Sequence, residues 1–202
     1  HDWGAAVAYT AAALAPERFR SLTTLAVPHS GRFLQEIGRH PRQLRLSWYM
    51  AFFQLPRVPE WTIRRKDFAF MRWLWRHWSP GWDFTEEEFA PIVQAFSEPG
   101  VVEGALAYYR AAFDWRALVR GAGEAAVSDI PVPTLALTGD LDGCISADVF
   151  EALCRTGDFS GGLRVERLDR VGHFLHREDP KRINALLIDW LTERESDDDA
   201  RT

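Results

Sequence analysis

The chain has 202 residues, 47% hydrophobic and 26% charged, the make-up of an ordinary soluble globular protein. Its net charge of -5, with Lys and Arg scattered along the chain, gives no electrostatic footprint for nucleic acid or an anionic membrane, so no nucleic-acid partner is expected. No apolar run approaches the roughly 18 residues of a membrane span, and no basic-then-apolar leader is read, so no stable membrane insertion is expected. Cys144 and Cys154 fit neither a disulfide framework nor a metal-ligand spacing, which makes a reducing cytoplasm the expected location and buried small hydrophobes their expected role.

In chain order, residues 5–14 are strong helix formers and Pro16 ends their run. Ser21 to Val27 is short, β-branched and apolar in its second half, as suits a parallel strand buried on both faces. Residues 31–125 differ in texture, holding seven of the nine tryptophans and three of the four tyrosines without a buried-strand pattern. They are predicted to be an inserted all-helical cap, placed outside the carboxyl ends of the strands, where such sheets bind ligands. Most of its aromatics, Phe70, Trp73 and Trp78 among them, are expected in the core. Alternation resumes with a strand at Thr134–Thr138, a helix at Ala147–Cys154 and a strand at Leu163–Leu168. A last helix runs from Pro180 to about Thr192, with Asp179 as N-cap and Ile183, Leu186, Leu187 and Trp190 on one face. The class is therefore α/β, with core in residues 1–30 and 126–195, the cap at 31–125, and a tail predicted disordered from Glu193, leaving 196–202 outside the core.

Three short motifs carry chemistry. His1-Asp2-Trp3-Gly4 directly precedes a small-residue helix, and a strand-to-helix nucleophile elbow needs such small residues because its backbone is tightly turned. A plain helix cap is the competing reading of Asp2. Gly139-Asp140-Leu141-Asp142-Gly143 puts two acids at the end of a predicted buried strand, where the acid of a triad belongs, and Asp142 is favoured because it sits deeper in the loop. Val171-Gly172-His173-Phe174 follows the next strand, giving the chain order nucleophile, acid, histidine.

This order of HDWG, GDLDG and GHF resembles the epoxide hydrolase and haloalkane dehalogenase branch of the α/β-hydrolases, over essentially the whole chain. The resemblance implies the α/β-hydrolase fold, here the C-terminal part of a mostly parallel sheet with flanking helices and an inserted helical cap. Within that branch, Ser47 to Pro56 and Ala107-Tyr108-Tyr109-Arg110 look like the two places where epoxide hydrolases keep ring-opening tyrosines. That implies Tyr49 and Tyr109, with Tyr108 as rival at the second place. The implied reaction converts an apolar epoxide and water to a vicinal diol. Asp2 would form an ester, His173 oriented by Asp142 would activate water, and the Trp3 N–H would be one oxyanion donor. An HGxP-like segment, the family's second donor, does not occur in the sequence.

His29, Phe53, Tyr108 and Phe174 are the further expected pocket residues, with Ser30 beside His29. A haloalkane or haloacid dehalogenase is the alternative, supported by Trp3 as a halide donor. A non-catalytic ligand-binding relative is a third reading, disfavoured by the intact Asp2, Asp142 and His173. No cofactor or metal is expected, because neither a glycine-rich phosphate loop nor a clustered ligand set is seen. Helix capping accounts for Glu178 and Asp179, and His77 and His176 are expected to be incidental. A start at His1, without Met and directly on the first motif, reads as that of a fragment, expected to be poorly stable and inactive in isolation. Oligomeric state leaves no signal in the pattern.

Overall fold

The computed structural model describes residues 1–112 and 128–199, with side chains as far as Ser196. Helix α1 (Trp3–Leu14) buries Ala5, Tyr9 and Ala12, spaced along one face. Its small residues let it lie close to strand β1 (Leu22–Leu25), and the Tyr9 hydroxyl bonds the Thr24 hydroxyl there at 2.7 Å.

Strand β1 pairs in parallel with β2 (Thr134–Gly139), and β2 pairs in parallel with β3 (Leu163–Leu168). Among the described residues the order is thus β1-β2-β3. β2 lies in the middle with every residue buried, as suits its apolar centre Leu135-Ala136-Leu137. β3 is only half-buried, because Arg164 and Glu166 pair with each other along its exposed side.

Between β1 and β2 the described chain is helical: α2 (Ser30–Glu36), α3 (Pro41–Leu46), α4 (Trp48–Phe52), α5 (Val58–Arg64), α6 (Ala69–Trp78), α7 (Glu86–Ser97) and α8 (Val101–Ala112). Residues 113–125 of the expected cap lie outside the described residues. A capping box between Thr85 and Glu88 starts α7. The inner side chains of these helices form one apolar cluster that includes Tyr49, Phe53, Trp78 and Phe89 and reaches Ala136 of β2. Trp78 is buried as expected, but Trp73 is 44% exposed and stacks instead on Phe70 and His77 at the outer surface.

Helix α9 (Ala147–Leu153) follows β2, while α10 (Leu175–Glu178) and α11 (Pro180–Asp199) follow β3. Helix α11 continues past Thr192 to Asp199, where disorder was expected. Glu193 ties its polar extension to β3, 3.5 Å from Arg164, and the Arg194 guanidinium lies 4.6 Å over the ring of Trp190 one turn earlier in the same helix. No helix of the described residues is long and apolar enough to cross a membrane.

Candidate active site

Three turns meet beyond the carboxyl ends of the strands. At the first, Asp2 adopts φ 52° and ψ -130°, a conformation that residues other than glycine rarely take and the kind of strain expected of a nucleophile elbow. Its Oδ1 accepts the Trp3 N–H at 2.5 Å, and its Oδ2 lies 3.0 Å from His173 Nε2. At the second turn, after β2, Asp142 Oδ1 accepts the N–H groups of Cys144 and Ile145 at 2.7 and 2.9 Å. Its Oδ2 is thereby left for His173 Nδ1, 3.0 Å away. Asp140 turns elsewhere and accepts the Arg170 N–H at 2.7 Å, so Asp142 is the acid that faces the histidine.

His173, after β3, is fully buried between two carboxylates. Burial opposes the charged ring, but the charge and hydrogen bond of Asp142, and then those of Asp2, outweigh it and raise the pKa to about 10. At neutral pH the ring is therefore an imidazolium donating from both nitrogens. Asp2 is held below the ordinary aspartate range: burial opposes ionisation, and the hydrogen bond and charge of His173, with the Trp3 N–H, overcome it.

The inserted helices hold both loops in place. At the end of α6, the Trp78 carbonyl accepts the N–H groups of Gly143 and His173, at 3.0 and 3.1 Å. A side chain at Gly143 would collide with the His77 carbonyl, and a Cβ at Gly172 would stand 2.6 Å from Ser79 Cα. Glycine at both positions is what lets this helix end dock between the loops. Ser79 Oγ accepts the Phe174 N–H and donates to Glu178, which also accepts the Gly172 N–H at 2.8 Å. Glu178 therefore clamps the histidine loop instead of capping a helix, whereas Asp179 does cap, taking the Arg182 N–H. On the acid loop, buried Gln43 of α3 donates to the Cys144 carbonyl at 2.8 Å and accepts the Ser146 N–H at 3.0 Å.

A cavity of about 90 Å³ opens against Asp2, Trp3 and His173, with Tyr49, Tyr109 and Cys144 in the facing wall and mostly apolar side chains, such as Phe33 and Ile145, completing it. The rings of Tyr49 (α4) and Tyr109 (α8) meet edge to face at 5.8 Å, and Tyr109 meets Trp3 in the same way at 5.1 Å. Burial above all, with negative charge nearby, pushes both phenols well above 10, so both are neutral donors at pH 7.

The other expected pocket residues are spread more widely: Phe53 and Tyr108 line a second cavity, of about 390 Å³, that also borders Asp2, Trp3 and Tyr109. Tyr108 is 57% exposed and does not line the smaller cavity, because its neighbour on α8 takes the inward position. Phe53 is buried behind the two tyrosines, packing edge-on against both. Phe174 turns from the cavity toward Trp75 and Trp82. His29 is buried between Tyr9 and Phe159 with its Nε2 on the Ser128 carbonyl, whereas Ser30 does line the smaller cavity. Cys144 is buried as expected, yet its sulfur lies 3.2 Å from the Tyr49 hydroxyl, a contact that its place two residues after Asp142 could have suggested. Gln43 gave no such signal, since its partners on the acid loop lie about a hundred residues away.

Asp142, Cys144 and His173 bring one ligand atom each within 4.8 Å of one another. The hydrogen bonds just described account for that cluster, as both histidine nitrogens and both Asp142 oxygens are committed.

No protein-family model matches the chain. Epoxide hydrolase 4 of Mus musculus is 30% identical over 199 residues, covering 96% of this chain and 53% of that protein. Epoxide hydrolase 3 of Xenopus tropicalis is 28% identical over 198 residues, covering 96% of this chain and 52% of that protein. The chain thus spans about half the length of these curated relatives. A point mutant of a Bacillus megaterium epoxide hydrolase, solved with its product (R)-3-[1]naphthyloxy-propane-1,2-diol, superposes with a TM-score of 0.77 at 22% identity, covering 95% of this chain and 67% of that one.

The chain has the α/β-hydrolase fold. Asp2 precedes α1, Asp142 follows β2 and His173 follows β3, with α2 to α8 inserted between β1 and β2.

Proposed function

We propose that the protein is an epoxide hydrolase that opens an apolar organic epoxide through an ester on Asp2. What carries this reading is the pairing of an ionised carboxylate with two neutral phenols on one small apolar cavity. An anion attacks without a base, and the alkoxide that an epoxide releases needs an acid. The epoxide hydrolases among the relatives, and the aryloxy diol that is the product of the Bacillus megaterium enzyme, support the reaction and the apolar substrate class.

In this mechanism Asp2 Oδ2 bonds to an epoxide carbon as the ring C–O bond breaks, and the alkoxide takes the proton of Tyr49 or Tyr109. Esterification removes the Asp2 charge, one of the two supports of the imidazolium, so the His173 pKa falls and its proton restores the phenol. Neutral His173 then takes a proton from water as hydroxide adds to the ester carbon, with the oxyanion at Oδ1 facing the Trp3 N–H. Collapse passes the new carboxyl proton to the departing diol oxygen and regenerates the Asp2 carboxylate beside the imidazolium.

The test is to incubate the full-length protein with styrene oxide and, separately, with 1-bromobutane. Diol from the first, no bromide from the second, and a mass increase of one substrate on His173→Gln protein are expected. Bromide without diol would replace this reading with a dehalogenase.

A further inference from the structure

The acid loop places a thiol against one of the two tyrosines. Cys144 Sγ and Tyr49 Oη are 3.2 Å apart, both buried and both in the cavity wall with Asp2. The sulfur is held there by its own backbone: the Cys144 N–H donates to Asp142 and its carbonyl accepts from Gln43. Burial first, and then the negative charges of Asp142 and Asp2, push the thiol well above its ordinary range, so it keeps its proton at neutral pH.

Either atom of the pair can donate, and the choice decides what Tyr49 can do. A phenol that donates to sulfur has no proton left for the cavity. A thiol that donates to the phenol oxygen leaves the phenol proton free. Sulfur is a weak acceptor, whereas an epoxide or alkoxide oxygen is a strong one, so with substrate present each hydrogen has one good acceptor only in the second arrangement.

We propose that Cys144 is a positioning residue for Tyr49: its S–H donates to the phenol oxygen, aims the phenol proton at the alkoxide, and stabilises the phenolate left after transfer. The proposal rests on the epoxide-opening reading. The thiol stays protonated throughout, the transferred proton is the phenol's own, and His173 returns it.

A cycle of Cys144→Ala, Cys144→Ser, Tyr49→Phe and both doubles, in the full-length protein, tests this by single-turnover rates of ester formation with styrene oxide. A hydrogen bond to a developing anion is lost in Cys144→Ala, so the rate falls about 10- to 100-fold. Serine, still a donor, restores it to within about threefold, and in the Tyr49→Phe background neither change at Cys144 alters the rate. Equal losses from alanine in both backgrounds, failure of serine to rescue, or an unchanged Cys144→Ala rate would each overturn the proposal. Diol formation by the wild type separates the two readings: with diol and a flat cycle only this inference falls, and without diol both fall.

Discussion

The wall of the cavity built from the core carries charge, and the wall built from the inserted helices carries none. On the core side the Asp2 and Asp142 carboxylates flank the His173 imidazolium, and each carboxylate is held by backbone N–H groups of its own turn. On the cap side Tyr49 and Tyr109 are neutral because burial above all disfavours their anions. Turns after strands present free N–H groups, whereas helix interiors use theirs internally, so the fold supplies the two environments from different segments. A nucleophile must be charged before it reacts and a general acid must not be.

Removing the proposed nucleophile of the charged wall should have the largest effect. Asp2→Ala is expected to lower kcat on the order of 10⁴-fold or more, because the remaining groups have nothing to attack with. A residual rate near wild type in a steady-state diol assay would remove Asp2 from the mechanism. For the neutral wall, Tyr49→Phe with Tyr109→Phe is expected to cost about 10²- to 10⁴-fold in ester formation, the usual share of a general acid. Chloride or bromide substrates, whose leaving groups need no proton, should distinguish a lost acid from a distorted cavity.

The charged wall was far more legible in the sequence than the neutral one. Asp2, Asp142 and His173 lie in short segments beside strand or helix signals, so chain order alone brought them together. The strands were legible for the same reason: Leu163–Leu168 is where its residue pattern put it, and β1 and β2 agree within two residues at each end. Cap residues depend on contacts between distant segments, which periodicity does not encode. Trp73 and Trp78 carry the same side chain on one helix, yet one is exposed and the other packs on His173. His29 and Phe174 flank the right elements but face the wrong way, because a strand end says where the chain leaves the sheet and not how the next side chain turns. Tyr49 and Tyr109 were reached by family resemblance, not by spacing.

Two smaller effects probe how firmly the charged wall is held. The His173 pKa of about 10 in the fold exceeds its ordinary value of 6.5, so the cation stabilises the fold fully below pH 6.5 and this contribution fades as pH rises through about 10. The Tm advantage of wild type over His173→Gln should therefore shrink between pH 7 and 10, and an advantage constant across that range would mean that the buried ring is neutral. Gln43→Ala should cost about 1–3 kcal/mol in urea unfolding, since the Ser146 N–H and Cys144 carbonyl lose a buried partner. If the acid loop is splinted as described, kcat falls with it while KM changes less.

The smallest effect sharpens the line between the two walls at its closest point. Tyr108 and Tyr109 are adjacent on α8, and both rings approach Trp3, at 5.8 and 5.1 Å. Of the two, Tyr109 alone lines the small cavity with His173 and Tyr49, its phenol pushed up by burial and by the charge of Asp2, whereas Tyr108 borders a more open cavity beside Asp2. Tyr108→Phe removes a hydroxyl from a mostly exposed side chain, so kcat and kcat/KM for styrene oxide should stay within about twofold of wild type. Tyr109→Phe, one position along, should cost at least tenfold by loss of a donor to the developing alkoxide. The reverse ranking would mean that α8 turns by one residue when substrate binds, and the neutral wall would then have to be redrawn around Tyr108.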